Sequence, residues 1–453
     1  MDNTENTFFG SERVSKILLK ICPPVMFAQL IQALYNLVDS YFIGKCSEEG
    51  LTALSVIYPI QLIIIALGVG IGVGVNTVMA RFYGLGEKEK AAKTAGTGIA
   101  VSALCWIVFA LVSLIFMKPF ANASSQSVLV RQYVKDYGYI VCVGSTGIFL
   151  EGVFSKIHQA KGNMKLPMIA QVCGALFNIV FDKILIFGLG SIPALGIKGA
   201  AYATVGGQIL AAVITGASMR YKPPVVSETV KYTKLIWTAG MPSIVMQALY
   251  TVYILGLNLL LVTFSDAAVT VLGIYYKLQS LFFIPLFGME TCIVPVLSYN
   301  CARKSYDRCR KILFESFGVS AAFMAFGIIA FEFFPTQLIG LFSHSELVKD
   351  VGRVGFRIIA SSFLPAAYSL LIPVFFQAVG RNFESVALTV LRQVILFVPL
   401  AWLLSFAGLN FVWCTFPITE ILTCALGMYF YAGLSKKWRN ETVELQQKSK
   451  SDV

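Results

Sequence analysis

Long apolar stretches, separated by short polar connections, run along the whole chain. About 20 apolar residues suffice to cross a bilayer as a helix, and about twelve segments reach that length. The predicted spans are residues 17–43, 53–79, 94–118, 133–155, 166–189, 197–219, 235–263, 269–297, 312–334, 351–378, 386–407 and 411–434. The pattern predicts an all-α membrane protein with twelve transmembrane helices.

Composition and charge support this interpretation. Of the 453 residues, 57% are hydrophobic and only 13% are charged, whereas a soluble protein carries about 25% charged residues. The net charge of +12 does not indicate a nucleic-acid partner, because most Lys and Arg residues fall in alternate loops. Such a bias places those loops in the cytoplasm. We therefore expect a multi-pass protein of the inner (plasma) membrane with both termini cytoplasmic.

No residue pattern indicates an enzyme. The chain has two histidines and no HExxH motif, and its ten cysteines lack CxxC spacing. We expect the cysteines to act as small buried hydrophobic residues. No nucleophile elbow is present. The expectation is a protein without catalytic residues, cofactor or structural metal.

The chain reads as two halves of about six spans each. An offset of 218 residues matches the halves without gaps over long stretches, including rare polar and proline positions. The matched pairs include Pro24 with Pro242, Gln29 with Gln247, Tyr35 with Tyr253, Gln61 with Gln279, and the QAxG segments at 159–162 and 377–380. An even number of spans per half predicts two six-helix lobes related by a pseudo-twofold axis along the membrane normal. The predicted division is an N-lobe at 1–220, a cytoplasmic linker at 221–234, a C-lobe at 235–435 and a cytoplasmic tail at 436–453, short, polar and expected to be disordered.

Two carboxylates lie inside apolar spans of the first half only. These are Asp39 and Asp182, and the offset places leucines, Leu257 and Leu400, at their counterparts. A carboxylate at membrane depth is costly and usually marks an ion, proton or ligand pathway. Tyr35 and Asn178 each lie one helical turn before a carboxylate, so each pair shares a helix face. The competing interpretation is that Asp182 pairs with Lys183 or faces an aqueous vestibule, although neighbouring helix residues point about 100° apart.

These side chains form a candidate coupling-ion site. Oxygen ligands of this kind suit a small hard cation such as Na⁺. They equally suit a proton, because two close carboxylates in a poorly hydrated pocket cannot both ionise cheaply. The candidate set is Tyr35, Asn36, Asp39, Asn178, Asp182 and Thr204.

Other polar and proline positions suggest a substrate cavity and a hinge. Glu290 and Glu420 lie deepest among the remaining acidic residues, and with Gln32 and Tyr253 they are candidates to line a central cavity. Pro24 removes a backbone hydrogen bond inside the first span. It marks either a hinge or simply the start of the helix.

Several segments carry a resemblance to a known family. They are PPVMFAQLIQALYNLVDSYFIG, ARFYGLGEKEKAAK, FSKIHQAKGNMKLP, FNIVFDKILI and GIKGAAYATVGGQ. With the twelve spans and the duplication, the chain resembles the multidrug and toxic compound extrusion (MATE) family, and within it the DinF branch, which includes MepA-like pumps. The resemblance implies that Asp39, Tyr35, Asn178, Asp182 and Thr204 form the cation or proton site, and that Pro24 bends the first span. The glutamate typical of the NorM branch corresponds to Tyr250.

The function implied by the resemblance is export of cationic, amphipathic small-molecule drugs by antiport against H⁺ or Na⁺. We expect a monomer whose other partner is membrane lipid. The alternative is a flippase of the related MurJ-like type for lipid II or lipid-linked oligosaccharides. Its anionic headgroups would call for cationic cavity residues, and Lys277, Arg357 and Arg392 keep that alternative open.

Overall fold

Helices make up nearly all of the computed structural model, which describes residues 5–190 and 192–451. Within those residues the β pairing is an isolated bridge between Leu189 and Ile192. A π-helical segment, Leu391–Leu396, lies between two α-helical segments. The α-helices are α1 Glu5–Ser11, α2 Val14–Cys46, α3 Glu48–Gly84, α4 Lys88–Ser124, α5 Val128–Val143, α6 Thr146–Ala160, α7 Lys165–Phe187, α8 Ile197–Gly216, α9 Val226–Val262, α10 Asp266–Phe282, α11 Ile284–Ala302, α12 Tyr306–Phe333, α13 Pro335–Gly340, α14 Glu346–Ala360, α15 Phe363–Ala378, α16 Asn382–Val390, α17 Phe397–Ser405, α18 Leu409–Trp413 and α19 Thr415–Ser451.

The number of membrane spans agrees with the hydropathy pattern. Ten helical segments among the described residues are long and apolar enough to cross a bilayer. Two further pairs, α10 with α11 and α14 with α15, pass the same test together but bend by 52° and 55° at a short break. Counting each bent pair as one span gives twelve, which confirms the predicted all-α membrane protein.

Pro24 lies in the interior of α2. The helix begins ten residues earlier, at Val14, and also contains Pro23. Two consecutive prolines withhold two backbone hydrogen bonds from the helix. Pro24 therefore does not mark the helix start, and its role as a hinge stays a prediction.

The chain forms two compact units, each with its own core. The first comprises Met1–Thr251 and Phe287–Arg303. In it α3 packs on α9 at backbone distance. A Cβ added at Gly74 of α3 would lie only 2.2 Å from the Ile236 carbonyl oxygen of α9. Small residues of this kind let membrane helices approach at backbone distance.

The second unit comprises Val252–Leu286 and Lys304–Val453. Its core is rich in aromatic rings: Phe331 packs on Phe356 at 4.8 Å and on Phe363 at 5.0 Å between ring centroids. The lobe boundaries taken from the sequence repeat stay a prediction.

The C-terminal tail is helical, contrary to the expected disorder. Helix α19 continues through Ser451; residues 452 and 453 lie outside the described part of the chain. Trp438 is only 4% exposed and stacks on Tyr306 with 4.8 Å between ring centroids. The Tyr306 hydroxyl also donates a hydrogen bond to Glu441. Sequence reasoning weighed only the polar composition and missed this aromatic anchor.

Candidate functional site

The structure brings the two predicted carboxylates together. Asp39 on α2 and Asp182 on α7 have their carboxyl groups within hydrogen-bonding reach of each other. Asp182 is fully buried and Asp39 is partly buried. Two ionised carboxylates at such a distance repel strongly, so a proton or a cation has to offset part of their charge. Oδ1 of each residue is buried without a hydrogen-bond partner, which leaves an acceptor atom on each carboxyl for such a cation or proton.

Asp182 does not use Lys183 as a partner. Lys183 is exposed while Asp182 is fully buried, as the 100° between successive helix residues requires. The competing interpretation of an Asp182–Lys183 pair is therefore not supported.

Asn178 links Asp182 to Thr204 on α8. The orientation of its amide follows from its neighbours: Nδ2 donates to Asp182 Oδ2 at 3.0 Å, while the amide oxygen accepts from Thr204 Oγ1 at 3.3 Å and from Thr204 N at 3.2 Å. Asn178 is 3% exposed. An amide held in this way fixes the position of the Asp182 carboxyl group.

Glycines bring α7 and α8 close enough for these contacts. A Cβ at Gly174 would lie 2.7 Å from the Gly207 carbonyl oxygen, and one at Gly207 would lie 2.5 Å from the Gly174 carbonyl oxygen. Only residues without a side chain tolerate such an approach. The segment GIKGAAYATVGGQ thus serves the site by letting α8 carry Thr204 up to α7.

Two aromatic hydroxyls complete the cluster. Tyr35 lies within electrostatic range of both carboxyl groups. Tyr137 on α5, 2% exposed, accepts a hydrogen bond from Gln61 Nε2 at 3.3 Å, and its hydroxyl lies within hydrogen-bonding reach of Thr204. Sequence reasoning missed Tyr137 and Gln61 as site residues. Gln61 carried a usable signal, since it is an amide inside an apolar span and is repeated as Gln279.

Two of the predicted residues on α2 have a different environment. Asn36 and Gln32 are both exposed side chains. Neither a coupling-ion role for Asn36 nor a cavity role for Gln32 is tested by their position, and both stay predictions.

The remaining cavity candidates divide between the two units. Glu290 is half-buried on α11 in the first unit. Tyr253 and Glu420 are 1% and 3% exposed in the second unit. Their participation in a substrate cavity stays a prediction.

Glu420 has a strong partner that sequence reasoning did not pair with it. Its Oε1 accepts hydrogen bonds from Arg392 Nη2 at 2.6 Å and from Arg392 Nε at 3.1 Å, and its Oε2 accepts one from Ser369. Arg392 belongs to the π-helical segment and lies 5.1 Å from the centroid of the Phe397 ring. The second unit thus contains a buried ion pair, whereas the first contains the carboxylate pair.

Comparison with known proteins places the chain among membrane transporters. The MatE family model matches residues 24–184 and 242–403. A FAD transporter of Shewanella oneidensis is 23% identical, over 93% of this chain and 95% of its own length. The multidrug export protein MepA of Staphylococcus haemolyticus is also 23% identical, over 96% of this chain and 97% of its own length.

Solved structures share the fold. A MOP superfamily transporter from Pyrococcus furiosus has a TM-score of 0.89 at 21% identity, covering 97% of this chain and 100% of its own. A MATE protein in complex with MaL6 has a TM-score of 0.90 at 21% identity, with the same coverage.

Proposed function

We propose that this chain, which belongs to the MatE family, is a secondary active exporter of cationic, amphipathic small molecules. Export would be driven by antiport against H⁺ or Na⁺. The observation that carries this proposal is the close pair of Asp39 and Asp182, in which Asn178, itself bonded to Thr204, holds the Asp182 carboxyl group. A transporter is coupled only if the ion and the substrate each favour a different conformation. The affinity of a carboxylate pair for a positive charge depends on how well the pair is hydrated. Two conformations that hydrate the pair differently would therefore differ in their affinity for the ion.

Protons are the favoured coupling ion. A proton shared between two carboxyl groups needs no further ligands, whereas Na⁺ prefers several oxygen atoms. Asn178 presents its nitrogen to Asp182 and its oxygen to Thr204, so the amide oxygen is already engaged. Sodium bound by Asp39, Asn178, Asp182 and Thr204 remains the alternative for the experiment to decide.

The relatives support a small-molecule substrate but name two kinds. One is a multidrug export protein and the other a FAD transporter. Cationic drugs are favoured because the site offers negative charge. Export of a flavin dinucleotide is the second candidate, and the relative named for FAD is its support.

The lipid-flippase alternative is disfavoured because each of the three cationic residues on which it depends already has a partner. Arg392 is neutralised by Glu420, and Arg357 Nε donates to the Glu332 carbonyl oxygen at 3.1 Å. Lys277 lies 5.7 Å from the centroid of the Phe342 ring. A pyrophosphate headgroup would compete with an existing partner at each position.

The proposed setting is the inner (plasma) membrane, with both termini in the cytoplasm and a monomeric chain. The basic loops support this orientation, because Lys and Arg near spans favour the cytoplasmic side.

The test is efflux from proteoliposomes carrying the purified chain. Ethidium and FAD are each loaded, and the proton and sodium gradients are collapsed separately. The proposal expects ethidium efflux that stops when one gradient is collapsed, and at least a tenfold loss of that efflux in Asp39→Asn. Asp307→Asn is the matched control, since Asp307 has a side chain 92% exposed.

Each alternative has its own result. Unchanged efflux in Asp39→Asn would remove Asp39 from the coupling site. Efflux of FAD without ethidium would replace the drug-export proposal with the flavin one. Efflux that needs neither gradient would contradict antiport itself.

A further inference from the structure

Three sulfur atoms meet in the first unit, away from the carboxylate site. Cys22 on α2 donates its thiol hydrogen to the Met289 thioether on α11, with 3.6 Å between the sulfur atoms. Cys292, one helical turn after Met289, has its thiol within hydrogen-bonding reach of Cys22. All three residues are at most 3% exposed. Two thiols and one thioether thus come together from two helices that are distant in the sequence, since Cys22 and Met289 are 267 positions apart.

This arrangement differs from ordinary packing of small apolar side chains. The Cys292 thiol also donates to the Ile21 carbonyl oxygen at 3.5 Å, so it points toward the stretch of α2 that carries Cys22. Metal–sulfur bonds of about 2.3 Å place the ligands of a three-coordinate site about 4 Å apart. The observed separation of 3.6 Å is therefore close to what a single metal ion requires.

Ligand type and charge select the metal. Thiolate and thioether sulfur favour soft ions such as Cu(I) over Mg²⁺, Ca²⁺ or Na⁺. Binding of Cu(I) would displace both thiol protons to solvent and leave a singly negative bis-thiolate. Lys156 on α6 lies within electrostatic range of Cys292 and, more weakly, of Glu151. A neighbouring ammonium group offsets part of the negative charge of such a complex and so lowers the cost of burying it in an apolar interior.

We propose that Cys22, Met289 and Cys292 form a binding site for one soft monovalent metal ion, Cu(I) or its analogue Ag(I). The site lies directly before Pro23 and Pro24 in α2. A bound ion would tie the segment of α2 that precedes the two prolines to α11. The site is independent of Asp39 and Asp182 and of the substrate that the protein carries.

The test uses the purified full chain under anaerobic, reducing conditions. The probe is Cu(I) supplied as its bicinchoninate complex, whose colour is lost when the protein removes the metal. Wild type is expected to take up one tightly held Cu(I) per chain. X-ray absorption at the copper edge is expected to show sulfur as the only kind of ligand atom.

Matched variants separate this site from the other cysteines. Cys22→Ser and Cys292→Ser should each lose the tight Cu(I), and Met289→Leu should weaken binding at least tenfold. Cys142→Ser and Met79→Leu are the controls, because Cys142 and Met79 are fully buried in the same unit. Both controls should bind as wild type does.

Four results would overturn the proposal. One is a wild type that removes no copper from bicinchoninate. Another is nitrogen or oxygen coordination in the absorption spectrum, a measurement that needs no variant to fold. The third is tight binding that persists in both cysteine variants. The fourth is a disulfide between Cys22 and Cys292 as the sole product of copper treatment.

Discussion

Replacing Glu420 by Gln should destabilise the second unit more than any comparable loss of surface charge. The change leaves Arg392 charged and without its carboxylate, in a place where the two side chains are 6% and 3% exposed. Removing one partner of a buried ion pair costs about 3–5 kcal/mol, because the remaining charge stays desolvated. Because both side chains are so little exposed, solvent screening hardly lowers this cost.

An exposed pair in the same unit supplies the comparison. Arg357 and Glu332 approach to 3.9 Å with side chains 52% and 46% exposed. Pairs of this kind contribute about 0–1 kcal/mol. Glu332→Gln should therefore be nearly neutral.

The double variant Arg392→Met with Glu420→Leu tests the cause. Removing both charges leaves nothing to desolvate, and such replacements are often neutral or stabilising. It should recover most of the loss seen in Glu420→Gln. Unfolding in mixed detergent micelles, followed by tryptophan fluorescence, compares the four proteins. The reasoning is refuted if Glu420→Gln matches Glu332→Gln, or if the double variant is less stable than the single.

Three further predictions concern packing, the site and the tail. Gly74→Ala should cost about 1–3 kcal/mol in the same unfolding assay, since overpacking forces α3 from α9, whereas Gly273→Ala, with no atom within 4 Å of the added methyl group, should not share that cost. Asn178→Leu removes a hydrogen bond to a charged group, worth about 1.5–3 kcal/mol, and should shift the coupling-ion concentration for half-maximal efflux at least tenfold; an unchanged value would remove Asn178 from the site. Trp438→Ala should cost about 3 kcal/mol or more and expose the tail to protease, and an equally protected tail would show that the contact with Tyr306 does not hold it.

Much of the fold was predictable because the bilayer constrains the sequence. Backbone polar groups in lipid must pair within a helix, so long apolar runs translate directly into spans. Asp39, Asn178 and Asp182 were also accessible, because a polar residue in such a run is rare and its helical neighbours follow from the spacing of four.

Other parts depended on contacts that leave no local signal. Tyr137 joins the site from α5, and a tyrosine in an aromatic-rich chain does not stand out. Arg392 and Glu420 lie 28 positions apart on different helices, so each looked like an isolated charge. The tail was misjudged because its one decisive residue, Trp438, acts through a partner more than a hundred positions earlier.

The π-helical segment changes which residues of the two halves correspond. In it the Phe397 N–H donates to the Arg392 carbonyl five positions back, so the turn holds one residue more than an α turn. Beyond it, an inserted residue would lengthen the repeat offset from 218 to about 219. Phe397 then replaces Leu396 as the counterpart of Asn178, and Ala401 replaces Leu400 as that of Asp182.

The shifted register identifies the positions in the second half that correspond to the site in the first. Tyr253 matches Tyr35, and its ring stacks on that of Phe397 with 4.7 Å between centroids. Where the first half has a tyrosine within electrostatic range of two acids, the second half has an aromatic stack. The π-helical residue thus places an aromatic ring, Phe397, at the position that corresponds to the site's amide, Asn178.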